Sequence, residues 1–121
     1  MSAYDQNNIF ARIIRGEIPC NKVYEDTHVL AFNDIHPQAA VHILVIPKGP
    51  YVCLSDFAQS APAAEQTAFF AAIGKIVAEK NLDAGGYRAI ANTGIGGGQE
   101  VPHFHVHLLG GKKLGRMLPE N

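Results

Sequence analysis

Residues 101–109 read Val-Pro-His-Phe-His-Val-His-Leu-Leu, so histidine and apolar residues alternate from position 103 to position 108. On an extended backbone alternate side chains share a face, which puts His103, His105 and His107 on one side and Phe104, Val106 and Leu108 on the other. A segment of this kind suits a strand that lays one face on a core and gives the other to something polar. Burying three imidazoles together without partners costs about 2–7 kcal/mol for each polar group left unsatisfied. The row therefore asks for an anion, a metal or a reaction.

Composition limits what can carry that strand. With 121 residues, 47% of them hydrophobic and 17% charged, the chain is expected to form one compact domain over 1–121 with a real core. Ten Lys and Arg against eleven Asp and Glu give a formal charge of -1. No bulk field then favours nucleic acid or an anionic membrane, and any anion is held locally. Cys20 and Cys53 stand alone in unrelated contexts, as free thiols of a reducing compartment do. No basic-then-apolar leader opens the sequence, and no apolar run reaches the roughly 20 residues that span a bilayer. The expectation is a soluble, cytoplasmic protein.

Along the chain, Asn7-Asn8 before Ile9, Phe10, Ile13 and Ile14, with Gly16 beyond, predicts a short capped helix. Lys22 to Glu25, Val29 to Asn33 and Val41 to Pro47 predict consecutive antiparallel strands. A long helix follows, capped by Ser60 with Pro62 in its first turn. Its buried stripe is Phe69, Ala72, Ile73, Ile76 and Val77. Gly85-Gly86 ends it, Tyr87 to Asn92 predicts another strand, Thr93 to Gly98 a glycine-heavy loop, and 101 to 109 the histidine strand. These elements make an α+β domain: a mainly antiparallel sheet of about five strands, with its short and long helices gathered on one face. Gly110 to Asn121 reads as an irregular tail, ordered by packing on a neighbour.

A metal is one use for the histidine row, since imidazole is the commonest zinc ligand. Alternate strand residues lie about 6.6 Å apart, however, so three rings on a flat strand do not converge readily on one ion. No Cys-x-x-Cys or His-Glu-x-x-His accompanies them. Phosphate fits better, because Thr93-Gly94-Ile95-Gly96-Gly97-Gly98-Gln99-Glu100 precedes the row and glycines let backbone N–H groups approach an anion. One neutral imidazole could act as nucleophile while a protonated neighbour donates to a phosphoryl oxygen.

The segment from Gln99 to Gly111, with His-x-His-x-His and two apolar residues after it, resembles the signature of the histidine triad (HIT) superfamily. The blocks Ile9 to Pro19, Leu30 to Ala39 and Val41 to Lys48 are similar to those of its nucleotide-binding phosphoramidase branch, so the likeness runs over nearly the whole chain up to about Gly111. The resemblance implies hydrolysis of purine nucleoside 5'-phosphoramidates to a nucleoside 5'-monophosphate (AMP or GMP) and an amine. His105 would be the nucleophile that forms a nucleotidyl-histidine, His107 would bind phosphate and leaving group, and His103 and His42 would support them. Asp34 would take the ribose hydroxyls. Ile9, Phe10, Ile13, Phe32 and Ile35 would line the base pocket, while Asn92, Gly98, Gln99 and Glu100 match positions near phosphate and ribose.

The chain departs from the family pattern in places. Glu100 stands where many members carry Ser, so either Glu100 supplies the leaving-group proton or it faces water. Asn8 and Ala11 replace the two cysteines of zinc-holding relatives, which implies no metal, and no cofactor is expected. His28 and His36 have no assigned role, and Lys112, Lys113 and Arg116 read as a solvated basic end. The family further implies a homodimer whose sheet continues across the subunits. Two other readings use the same residues: a nucleotide-binding or scaffolding protein, and another activity of the superfamily such as dinucleoside polyphosphate hydrolysis.

Overall fold

The computed structural model describes residues 3–119. The elements are α1 (Ile9–Ile14), β1 (Lys22–Glu25), β2 (Val29–Asn33), β3 (Val41–Pro47), α2 (Leu54–Ser60), α3 (Ala63–Glu79), α4 (Leu82–Gly85), β4 (Tyr87–Ile90), α5 (Gly94–Gly97) and β5 (Val106–Gly110). The five strands form one sheet in the order β1-β2-β3-β5-β4, antiparallel throughout. This is the α+β architecture expected from the sequence. Asp26 shapes the β1–β2 turn by accepting the N–H groups of His28 and Val29 at 2.8 and 2.9 Å. β5 pairs with β3 so that Leu44 lies opposite His107 and His42 opposite Leu109.

Alternation along the strands builds two unlike layers. Val29, Ala31, Ile43, Val45, Phe104, Val106 and Leu108 pack against Phe57 of α2 and Phe69, Ala72 and Ile76 of α3. The Phe57 and Phe69 rings lie 5.2 and 5.1 Å from that of Phe104. On the opposite face Leu30, Phe32, Leu44 and Ile46 pack against Phe10, Ile13 and Ile14 of α1. Helices therefore cover both faces rather than gathering on one. At six residues α1 is only about 9 Å long and cannot cover its face alone.

Several local expectations change. Ser60 does not cap the long helix. It closes α2, where its hydroxyl donates to Asp56 four residues back, and Asp56 in turn accepts the Val52 N–H. Pro62 precedes α3, which ends at Glu79 with Lys80 as its C-cap, and a left-handed Asn81 leads into the separate turn α4 before Gly86. β4 stops at Ile90, and residues 94–97 form a helical turn where a loop was expected. The regular strand after the glycines starts only at Val106, because Pro102 lacks a ladder donor and the Phe104 N–H goes to the Tyr51 carbonyl at 2.8 Å. Alternation nevertheless holds through 103–108. Within the chain, Arg88 donates to the tail carbonyls of Gly115 and Arg116. Met1, Ser2 and the tail residues Glu120 and Asn121 lie outside the described residues. Among the described residues no helix is long and apolar enough to cross a membrane.

Candidate active site

The part of the sheet that α1 leaves uncovered becomes a cavity of about 420 Å³. Ile9, Phe10, Ile13, Phe32 and Ile35 line it together with Asp34, Asn92, Gly98, Glu100, His105 and His107. Eleven residues singled out in the sequence thus meet around one space. His103 and His42 do not line it. They lie behind the other two imidazoles and hold them in place.

Backbone groups decide which nitrogen of each ring carries a proton. The His105 Nδ1 lies 2.7 Å from the His103 carbonyl, which can only accept, so Nδ1 carries the hydrogen. In the neutral ring Nε2 is then a bare lone pair, and His105 lines the cavity. The His103 Nε2 donates to the Pro47 carbonyl at 2.8 Å, which makes its Nδ1 the acceptor of the Tyr4 hydroxyl at 2.6 Å. The second relay begins at the Gln38 N–H, which donates to His42 Nδ1 at 3.0 Å. His42 Nε2–H then donates to His107 Nδ1 at 2.9 Å, and the remaining proton of His107 falls on Nε2. The two cavity-lining rings, 4.9 Å apart, are therefore a lone pair and an N–H donor.

Electrostatics keep both rings neutral. Burial pushes His103 down to about 4, against a smaller upward pull from its Pro47 bond. Burial also lowers His105, while the His103 carbonyl, Asp34 and Glu100 pull it up. For His107, burial and then the neighbouring His105 and His42 bring the value down to about 4. The expected imidazolium donor is thus replaced in this structure by a neutral tautomer that keeps an N–H on His107 without a charge to desolvate. Phe10 fixes the arrangement from α1, with its ring edge-on to His105 at 5.0 Å and to His103 at 6.2 Å.

Four N–H groups of the glycine segment are taken up within it rather than left open to an anion. The N–H groups of Gly97, Gly98 and Gln99 donate to carbonyls inside the segment, and that of Gly94 to the Gln99 side chain at 3.0 Å. Gln99 does not line the cavity either. Its amide donates to the carbonyls of Val52 and Val101, so it fastens the turn to the body of the protein. Gly98, at φ +78°, needs its glycine for that turn.

Asp34, His42 and His107 offer ligand atoms within 4.8 Å of one another. Distance alone would admit a metal. A metal-bound histidine, however, gives its other N–H to an acceptor, whereas His42 Nδ1 faces the Gln38 amide donor. Binding an ion through Nε2 would leave that ring with no proton on either nitrogen, so this set suits a proton relay better than a metal. Asp34 is itself anchored, accepting the His36 N–H at 2.8 Å and lying 3.4 Å from His42 Nε2.

Sequence reasoning missed Tyr4 and Gln38. Tyr4 lies 99 residues from its partner and Gln38 acts through a main-chain N–H, so neither leaves a local signal. Ile18, Cys20, Asn33 and His36 also line the cavity. For Cys20, burial raises the thiol, consistent with packing rather than reactivity.

Comparison with known proteins agrees with this geometry. The HIT domain family matches residues 15–114. A purine nucleoside phosphoramidase of Escherichia coli is 46% identical over 93% of this chain and 94% of its own. An uncharacterized HIT-like protein of Azospirillum brasilense is 52% identical over 95% and 94%. A histidine triad protein from Clostridium difficile superposes with a TM-score of 0.82 at 46% identity, covering 96% of this chain and 100% of that one. A histidine triad nucleotide-binding protein from Candida albicans gives 0.82 at 31% identity, covering 95% and 85%. With three alternate imidazoles, a matching profile over most of its length and near-complete relatives, this chain belongs to the HIT domain family.

Proposed function

We propose that the protein is a hydrolase of purine nucleoside 5'-phosphoramidates that works through a covalent nucleotidyl-histidine. The observation that carries this reading is the tautomer of His105, whose Nδ1–H is held by the His103 carbonyl so that Nε2 is the unprotonated atom of a cavity-lining ring. The phosphoramidase relative in Escherichia coli, 46% identical, supports the choice of bond. The purine slides between Ile9, Phe10, Ile13 and Phe32, and Asp34 accepts from the ribose hydroxyls. His105 Nε2 attacks the α-phosphorus, the P–N bond breaks, and the nitrogen takes up a proton from solvent, which the later attack of water returns, and departs as the amine. The His107 Nε2–H donates to a phosphoryl oxygen throughout, the role expected of a positioned oxyanion donor. Water then displaces His105 from phosphorus, releasing the nucleoside 5'-monophosphate and restoring the ring. Neither a metal nor another cofactor has a step in this scheme.

The test is incubation with adenosine 5'-phosphoramidate, following AMP and the acid-labile nucleotidyl adduct by mass. Turnover that survives His105→Asn at the wild-type rate overturns the mechanism. Tight AMP binding with intact phosphoramidates would favour a binding or scaffolding protein, and preferred cleavage of dinucleoside polyphosphates another activity of the family. The assembly we favour is a homodimer formed at the open edge of β4, where Tyr87 is exposed. Light scattering that gives a monomer at micromolar concentration would exclude it.

A further inference from the structure

His42 carries a single proton between two acceptors. Its Nδ1 takes the Gln38 N–H at 3.0 Å, so the hydrogen of the neutral ring sits on Nε2. That atom lies 2.9 Å from His107 Nδ1 and 3.4 Å from Asp34 Oδ2. Distance favours His107, whereas charge makes the carboxylate the stronger acceptor. The surroundings hold the three groups in this competition. The His42 side chain is 1% exposed, and the Asp34 N–H donates to the His42 carbonyl at 3.0 Å. Asp34 Oδ1 is taken up by the His36 N–H, which turns Oδ2 toward His42. Asp34 nevertheless lines the cavity, so a bound molecule can reach its carboxylate.

The outcome of the competition decides what His107 presents. While the His42 proton points at His107 Nδ1, that atom is an acceptor and the ring's own hydrogen stays on Nε2 as the phosphoryl donor. When the carboxylate draws the proton away, Nδ1 loses its partner and the hydrogen is no longer confined to Nε2. In the other tautomer a lone pair faces the phosphoryl oxygen instead. The carboxylate also acts on both cavity-lining rings through space. Burial lowers His105 and His107, and the Asp34 charge is among the influences that pull them back up.

We infer that the ribose hydroxyls set this relay: by donating to Asp34 they satisfy the carboxylate, release the His42 proton wholly to His107 and fix the phosphoryl donor in place. Asp34 and His42 then act as positioning residues that tie sugar recognition to the reacting phosphorus. The inference rests on the P–N reading above and on Asp34 as the ribose acceptor. A nucleotide without the two hydroxyls binds beside a bare carboxylate that still competes for the proton.

The test compares adenosine 5'-phosphoramidate with its 2',3'-dideoxy counterpart, using single-turnover rates at saturation and separate measurement of KM. A carboxylate that only holds the sugar makes the dideoxy compound bind more weakly and react at the same saturated rate. The relay lowers that saturated rate as well, by about tenfold, a part of what a lost oxyanion donor costs. Asp34→Asn removes the competing charge. It should therefore raise the dideoxy rate about tenfold, close to the wild-type rate on the ribose compound, a gain that a damaged fold does not produce. His42→Gln should lower both rates and bring their ratio to one. In the wild type, NMR of the histidine ring nitrogens should report His107 Nδ1 as a hydrogen-bond acceptor with AMP and a shifted signal with 2',3'-dideoxy-AMP. Equal saturated rates for the two substrates, a dideoxy rate that Asp34→Asn fails to raise, or identical ring-nitrogen shifts with the two nucleotides would each overturn the inference while P–N hydrolysis stands. Cleavage of neither compound would remove the P–N reading and this one with it.

Discussion

The two faces of the sheet share their strands but not their task. On the α2–α3 face, Phe104, Val106 and Leu108 meet Phe57, Phe69 and Ile76 in a dry layer. On the α1 face, the intervening residues His105 and His107 border a cavity while His103 and His42 are buried behind them. Here the polar atoms are satisfied by main-chain carbonyls, an amide and a tyrosine hydroxyl. The difference teaches that one strand can anchor a core and present a reactive ring because side-chain direction alternates along it. Stability is expected to depend on the even-numbered residues of this stretch, and turnover on the odd-numbered ones.

The strongest way to break that division is to exchange its consequences. His105→Asn should lower phosphoramidate turnover at least about a thousandfold, as loss of a nucleophile does, and change unfolding free energy by only about 1 kcal/mol. A melting temperature that collapses with activity would show that the two faces are not separable. Phe104→Ala, one residue away, should destabilise by about 3–5 kcal/mol, read by urea unfolding. Near-wild-type stability there would mean that the aromatic layer is not the principal core.

Acid sharpens the comparison, because the titrating groups sit on one face. His103 is held down to about 4 in the folded protein against an ordinary 6.5, so the unfolded chain takes up its proton first as pH falls. Its contribution is intact above pH 6.5, declines between 6.5 and about 4, and amounts to a loss of about 3 kcal/mol below that. His107, also held to about 4, adds a smaller loss in the same window because it is partly exposed. Stability that is flat from pH 7 to 4.5 in urea titrations would contradict the neutral-ring assignment. The smallest expected effect is that of Tyr4→Phe, which removes the hydroxyl on His103 Nδ1. It should cost about 1 kcal/mol of stability and lower kcat a few-fold with KM nearly unchanged. A loss as deep as that of His105→Asn would give Tyr4 a direct part in the chemistry.

Much of the frame was legible beforehand. β1, β2 and β3 lie where runs of Val, Ile, Phe and Tyr end at polar turns, and α1 begins at its Asn8 cap, whose side chain accepts the Ala11 N–H at 2.9 Å. α2 was missed because its apolar contribution to the core is a single buried Phe57, too little for a visible period. β5 starts later than its alternation suggests, because alternation reports side-chain direction, which Pro102 does not disturb, and not ladder bonding, which it does. Which amides of the glycine segment are engaged is not legible in the sequence, because its composition says nothing of where Gln99 sends its side chain.

The sequence by itself determined the alternation at 103–108 and with it the separation of a reactive face from a packed one, since a period of two is a property of any extended chain. It also determined which residue types would meet. Only the tertiary structure decided which nitrogen of each ring bears the proton. That choice depends on Pro47, His103, Gln38 and Tyr4 supplying single donors or acceptors from separate parts of the chain, and a ring with two equivalent options takes its tautomer from whatever it faces.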